Sequence, residues 1–384
     1  MPFTYILLKH RYIKIVKNMY RKKFSDLRPD LLLTCHETLS SQIVKEAAAR
    51  LSMTPKASIT RNGAVLLGKH VACDSHDESR PLRVVTHAHY DHLNGLERSL
   101  RKCQAVIVTP ATRDLLGALR GPLFPFVGNV KALNYGETLM HEDERLTLHP
   151  ADHILGAAQV LVEDKDGARI VYTGDFRMSN TPVLEADVLV LEATYGSPFQ
   201  VRPFQKVVGD ALVSLVESAL KIGPVYIFGY HGKLQEVMQI LHSNNVKVPF
   251  LAPEKIFQVS KVCERHGMRL GKVLSTIGDE GKEIMQRNEV FVAFYHMNSK
   301  RHVGRDAFRI SVSGWEFGYP RRQIAPNEHL VALSDHSDFK ELLQYVSESK
   351  PKMVITDNYR VGGARVLARE IEKRLGIPAK ALPA

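Results

Sequence analysis

Three imidazoles and a carboxylate fall within a six-residue stretch, at His87, His89, Asp91 and His92. The stretch follows an apolar, β-branched run at 82–85 that reads as a strand, so these side chains sit on a loop just past a strand end. A loop there can turn all four toward one point, which a helix or strand of that length cannot. Neutral imidazole and carboxylate suit zinc and similar divalent ions. A lone histidine in a polar loop reads as incidental. Four ligand-type residues spaced H-x-H-x-D-H read as a metal centre.

The elements that must position such a centre repeat one design, a strand that delivers a ligand-type residue at its carboxyl end. Apolar runs at 146–149, 170–172, 188–191, 330–333 and 353–355 lead into His153, Asp175, Glu192, His336 and Asp357. Gathered on one sheet edge, these ends build a shared site. Ahead of the histidine loop, Asn62-Gly63 between short apolar runs predicts a hairpin. Residues 203–333 alternate helix and strand, with strands at 225–228, 248–251, 290–294, 308–312 and 330–333 and helices that include 232–242 and 253–266. That alternation predicts a doubly wound α/β unit with a parallel sheet.

At 384 residues the chain is long for one compact core and suits two domains plus an extension. No apolar run approaches the ~20 residues needed to cross a bilayer. Four cysteines without a C-x-x-C pair point to reduced thiols in a cytoplasmic protein rather than a disulfide framework or zinc knuckle. Of the net charge of +11, +7 falls in residues 1–24, where no acid offsets the lysines and arginines. The remainder is mildly basic, which fits a phosphate-rich partner without specifying one. Residues 1–56 lack the cleavage site and apolar core of a signal peptide. They read as a basic extension, either a helix docking on nucleic acid or a solvated tail, and residues 1–52 are expected to be dispensable for the chemistry.

Read together, these loops resemble the metallo-β-lactamase superfamily, and within it the β-CASP nucleases. The resemblance covers roughly residues 57–384. The histidine loop matches the superfamily signature, shared by lactonases, thioesterases and phosphodiesterases. Later motifs narrow it. The stretch Ala151, Asp152, His153, Ile154, Leu155, Gly156, Ala157 looks like A-G-H-x-L-G-A, with Asp152 for glycine. Tyr172, Thr173, Gly174, Asp175 looks like the strand end that presents a bridging aspartate. Glu192, Ala193, Thr194, Tyr195, Gly196 resembles E-S-T-Y-G, which closes the first half of the lactamase fold. Gly232, Lys233, Leu234, Gln235, Glu236 resembles the cassette's G-R-x-Q-E, with Lys233 for arginine. Ser334, Asp335, His336, Ser337, Asp338, Phe339 resembles S-A-H-x-D-Y. One departure stands out: Thr356, Asp357, Asn358 occupy the place of V-H-G, so the last histidine ligand is replaced by Asp357.

The resemblance implies an αββα lactamase sandwich, residues 57–197 and 334–384, interrupted by an α/β cassette at 198–333. It implies one or two Zn²⁺ ions per chain, with Mn²⁺ or Mg²⁺ as substitutes. His87, His89 and His153 would hold the first ion, Asp91 and His92 the second, with Asp175 bridging and Asp357 completing the set. Asp91 would serve catalysis, His336 would be the general acid and Glu192 would orient it. Imidazole titrates near neutrality, which suits protonation of an alkoxide leaving group. Asp74 would steady a ligating histidine from behind. His231, Lys233, Lys300 and Arg301 would hold substrate phosphates. The implied activity is hydrolysis of single-stranded DNA or RNA, favoured as an exonuclease, with RNA 3′-end-processing endonuclease as the alternative. A small-molecule hydrolase would lack the cassette motifs, and a non-catalytic nucleic-acid-binding paralogue would have lost ligands that survive here.

Overall fold

A computed structural model of the chain describes residues 56–287 and 289–384. The basic extension read at residues 1–56 therefore lies, but for Lys56, outside the described residues. Three sheets organise the rest. The first has six strands lying side by side in chain order: Ala57–Ile59, Val65–Leu67, Val71–Cys73, Leu82–Val84, Ala105–Val108 and Val130–Ala132. The first two strands pair antiparallel across the predicted Asn62-Gly63 turn, where Gly63 takes φ +82°. From Val71–Cys73 onward the pairing is parallel, so successive strand ends point to one edge.

The second sheet has seven strands in the order Ala379–Leu382, Met353–Asp357, Val188–Leu191, Arg169–Tyr172, Ala158–Glu163, Glu144–Pro150 and Thr138–His141. The four from Ala379–Leu382 to Arg169–Tyr172 run parallel, which sets the ends before Asp175 and at Leu191 and Asp357 along one edge. The inner faces of both sheets share a core. Ile59, Leu67, Val84 and Ile107 meet Leu148, Val160, Tyr172, Val190 and Ile355, all nearly or fully removed from water. At about 25 cal/mol per Å² of apolar surface, burial on this scale is the main force holding the two sheets face to face. Helices cover the outer faces: Leu96–Lys102 and Pro110–Arg120 on the first sheet, Phe339–Ser349 and Ala364–Leu375 on the second. This is the expected αββα sandwich.

The third sheet lies between these halves in sequence. Its order is Val273–Ser275, Phe250–Ala252, Val292–His296, Val225–Gly229, Phe308–Val312, Glu328–Val331 and Arg321–Ala325. Six strands are parallel, as the helix–strand alternation predicts. The seventh departs from that reading: Arg321–Ala325 turns back antiparallel to Glu328–Val331. Its residues are largely exposed and carry Arg321 and Arg322, so it gives no apolar periodicity to read. Charge on such an edge also discourages pairing with another chain. Helix Glu254–Arg265 of this unit packs on Pro110–Arg120, and His266 Nε2 donates to Asp114 Oδ2 at 2.9 Å. The α/β unit is thereby docked beside the histidine loop.

Candidate metal centre

The histidine loop leaves the Leu82–Val84 strand and turns back through a short 3-10 segment, Tyr90–His92. His153 follows the Glu144–Pro150 strand, and the loop that carries it turns back at Gly156, φ +80°. A Cβ there would stand 2.6 Å from Thr112 N, while the Thr109 and Thr112 hydroxyls donate to the Gly156 carbonyl at 2.7 and 2.9 Å. Only glycine fits so tight a left-handed turn.

Three imidazole nitrogens converge. His89 Nδ1 lies 3.1 Å from His87 Nε2 and 3.0 Å from His153 Nε2. The opposite nitrogens are fixed by acceptors. His89 Nε2 donates to the His231 carbonyl at 3.2 Å, His153 Nδ1 to the Asp335 carbonyl at 2.8 Å, and His87 Nδ1 to Thr86 Oγ1 at 3.1 Å. Thr86 Oγ1 can accept because its own proton goes to Asp74 Oδ2 at 2.8 Å. Each inward nitrogen therefore presents a lone pair, and three lone pairs facing one another at this spacing call for a cation among them.

A second group adjoins the first. His92 Nδ1 donates to Asp74 Oδ2 at 2.8 Å, leaving its buried Nε2 without a hydrogen-bond partner. That Nε2 is 3.2 Å from Asp175 Oδ2 and 3.6 Å from Asp91 Oδ2. Asp175 Oδ2 also lies 3.8 Å from His87 Nε2 and 3.9 Å from His153 Nε2, between the two groups. Asp74 touches no inward nitrogen. It accepts from Thr86 N and Oγ1 as well as His92, and adopts φ +61° to do so. Asp91 differs from the others in exposure, its side chain being 62% accessible.

On the neighbouring wall, His336 Nδ1 meets Glu192 Oε2 at 2.9 Å, while Glu192 Oε1 accepts from Phe176 N at 2.8 Å. The loop carrying His336 is pinned from both sides. Ser337 N and Oγ donate to the Phe176 carbonyl, and Asp338 caps helix Phe339–Ser349 in a reciprocal box with Glu341. Burial opposes the charged form of His336. The charge and hydrogen bond of Glu192, aided by Asp175 and Asp335, overcome it and push the imidazole up to about 9. Burial, together with the neighbouring rings, holds His87 and His89 well below the ordinary range, as neutral ligands require.

The remaining sequence candidates divide. His231 reaches the centre, but as a support: its Nε2 donates to the Ala88 carbonyl at 3.2 Å while its own carbonyl takes the His89 proton. Neighbouring Gly232, φ +86°, lets the chain pass only because it lacks a Cβ, which would collide with Ile154. Lys233 pairs with Asp335 Oδ1 at 2.9 Å, both side chains largely buried. Lys300 is held by Glu328 Oε1 at 2.5 Å and Ser311 Oγ at 2.8 Å. Arg301 lies on the exposed side of the Met297–His302 segment, donating to His302. Asp357 is not brought to the centre. Its Oδ1 accepts from Tyr359 N at 2.9 Å, and its Oδ2 takes Arg360 Nη1 at 2.5 Å. A carboxylate is shorter than the histidine side chain it replaces, and the turn that follows occupies it.

Four contributors escaped the sequence reading. Thr86 sets the polarity of His87. Asp335 closes the wall beside His336 and pairs with Lys233. Arg177 joins Asp152 Oδ1, at 2.9 Å, to Glu236 of the cassette-side helix Lys233–Ser243. Arg360 is buried and sets its charge beside Asp357 and Asp74. The only traces in sequence were the paired departures Asp152 and Asp335 from motif glycine and alanine, each answered by a basic residue far along the chain.

A family model for the β-lactamase superfamily domain matches residues 70–222. An uncharacterized protein in the lig 3′ region of Acidianus ambivalens is 39% identical over 138 residues, 35% of this chain and 99% of that protein. A probable DNA ligase of Opitutus terrae is 28% identical over 289 residues, 71% of this chain but 26% of the ligase. An RNase J-like protein of Methanocaldococcus jannaschii is 27% identical over 216 residues, 48% of this chain and 50% of that protein. The chain thus spans a quarter to a half of the two longer relatives. Among solved structures, a protein of unknown function from Enterococcus faecalis V583 superposes with a TM-score of 0.55 over 80% of this chain and 81% of that one, at 14% identity, and shares the fold. With the motifs of its histidine loop and inserted unit, the chain belongs to the β-CASP nuclease family of the metallo-β-lactamase superfamily.

Proposed function

We propose that this chain is a metal-dependent phosphodiesterase that shortens single-stranded nucleic acid from an end. The observation that carries the reading is the opposition of two differently prepared sets of histidines: neutral lone pairs on His87, His89 and His153, and a proton-holding His336 on Glu192. His87, His89, His153 and Asp175 would hold a divalent ion. Bound there, it supplies Lewis acidity, lowering the pKa of water to about 7 and neutralising charge on a phosphoryl oxygen.

The residues of the chain do the rest. Asp91, exposed at the mouth of the centre, accepts a proton from the attacking water. His336 gives its proton to the departing sugar oxygen, and Glu192 keeps the ring oriented and charged for that step. Lys233, drawn off Asp335 by a phosphate, would anchor the strand. Residues 57–197 and 334–384 form the catalytic sandwich and 198–333 the cassette that narrows access to it. The relative named a probable DNA ligase, matched over only 26% of its own length, supports DNA as one reading of the substrate. The RNase J-like relative supports RNA as the second reading. Single-stranded DNA and RNA, labelled at either end, are incubated with the protein and Zn²⁺ or Mn²⁺. Stepwise release of nucleotides from an end of one or both polymers is expected, and no cleavage of either would remove the proposal.

A further inference from the structure

The two groups of ligand-type residues are not equivalent. The first is largely enclosed, with buried His87 and His153 and half-buried His89, whose outer nitrogens are all tied to acceptors, and Asp175 Oδ2 within 4 Å of two of them. The second has only His92 and Asp91 of its own, and Asp91 stands mostly in solvent. Behind it lies a fixed positive charge. The Arg360 side chain is 8% exposed, bonded through Nη1 to Asp357, with Nε and Nη2 buried and without hydrogen-bond partners. Its Nη2 is 4.0 Å from Asp74 Oδ2, the same oxygen that takes the His92 proton at 2.8 Å.

We propose that the Arg360 guanidinium takes over the electrostatic role of a second metal ion, so that the centre holds one ion tightly, at His87, His89, His153 and Asp175. The inference rests on the nuclease reading above and fixes its metal stoichiometry. A carboxylate-rich pocket ordinarily gathers cations because its negative charges are uncompensated. Here Asp357 is spent on Arg360, Asp74 is shared between Arg360 and His92, and Asp175 Oδ2, 3.2 Å from His92 Nε2 and within 4 Å of His87 and His153, is shared between the two groups. A second divalent ion would have to settle beside a permanent cation that cannot lose its proton. Arginine, unlike a bound ion, is neither removed by chelators nor exchanged, so charge at this position is present whatever the metal supply.

The test is metal content of the purified protein, measured by mass spectrometry after equilibration with Zn²⁺ and removal of free ion, with Mn²⁺ spin-resonance spectra beside it. Wild type should hold about one ion per chain and show an uncoupled Mn²⁺ signal, since two ions ~3.5–4 Å apart would couple. Arg360→Met should rise toward about two ions, with at least a ~10-fold gain in second-site affinity, and Arg360→Lys should remain near one, because it keeps the charge. Two tightly held ions in wild type would overturn the proposal, whether or not the methionine variant folds. So would a folded Arg360→Met, judged by circular dichroism, that still holds one. A wild-type protein that holds no ion would instead overturn the nuclease reading itself.

Discussion

Glu192 Oε2 and His336 Nδ1 stand 2.9 Å apart although 144 residues separate them in sequence. The contact joins the end of the Val188–Leu191 strand to the loop that re-enters the sandwich after the inserted unit. His336 holds its proton against burial because the Glu192 carboxylate, itself 3% exposed, is there.

The sign of the resulting pH dependence follows. A raised folded value means that the folded protein binds the proton more tightly, so the stabilisation is complete below about 6.5 and is lost as pH rises through about 9. Turnover that needs the His336 proton should therefore fall only as pH passes about 9. Asp175, Asp335 and Lys233 also bear on the ring or its neighbours and are unchanged in the test variant. In Glu192→Gln the alkaline limb should shift down toward ~6.5, and His336→Ala should lower kcat by about 10²–10⁴-fold. Rate profiles from pH 6 to about 10 check both, and a limb that stays put in Glu192→Gln would separate the two residues functionally.

Much of this centre was legible in sequence because each ligand sits at the carboxyl end of an apolar run. His87, His89, His92, His153 and Asp175 all converge as that pattern requires. What the pattern could not show is which charges answer one another. Lys233 and Asp335 lie about a hundred residues apart and only the fold reveals that they are a pair. The Arg321–Ala325 strand was equally silent, since an exposed, charged edge carries no apolar period.

Removing metal should loosen the protein as well as silence it. Three inward lone pairs at 3.0 and 3.1 Å repel one another once no cation lies among them. An ion present at ~1,000 times its dissociation constant would add about 4 kcal/mol of stability. Thermal unfolding followed with and without a strong chelator should show a clear fall in Tm that added Zn²⁺ reverses. His89→Gln should unfold at the lower temperature in both conditions, and a chelator shift that survives in that variant would place the metal elsewhere.

Arg177 should be a structural joint between the sandwich and the inserted unit. It binds Asp152 beside His153 on one side and Glu236 on the other; burial opposes its charge, and the two carboxylates outweigh burial and keep it charged. Arg177→Met leaves two partly buried carboxylates without their cation, at a cost of about 1–3 kcal/mol. Urea unfolding measures that cost. The KM for a nucleic-acid strand should rise more than kcat falls, because the wall of the cleft moves while His336 and Glu192 remain in place.

Asp357 gives the last prediction, and it separates a ligand from a cap. The strand Met353–Asp357 ends where a further metal ligand was expected, yet both Asp357 oxygens are occupied within its own turn, by Tyr359 N and by Arg360 Nη1. Its side chain is 2% exposed and that of Arg360 8%, so solvent does little to screen the pair. Taking away one partner of a buried ion pair strands the other and typically costs ~3–5 kcal/mol. Asp357→Ala should accordingly lower stability by about that amount while metal content per chain stays where it was. Asp357→Asn should recover part of the loss, since its amide oxygen can still accept from Tyr359 N. Asp357→His should gain no ion so long as Arg360 remains beside it. Denaturant unfolding and metal analysis of the three variants decide the matter: a drop in bound metal at unchanged stability would make Asp357 a ligand after all.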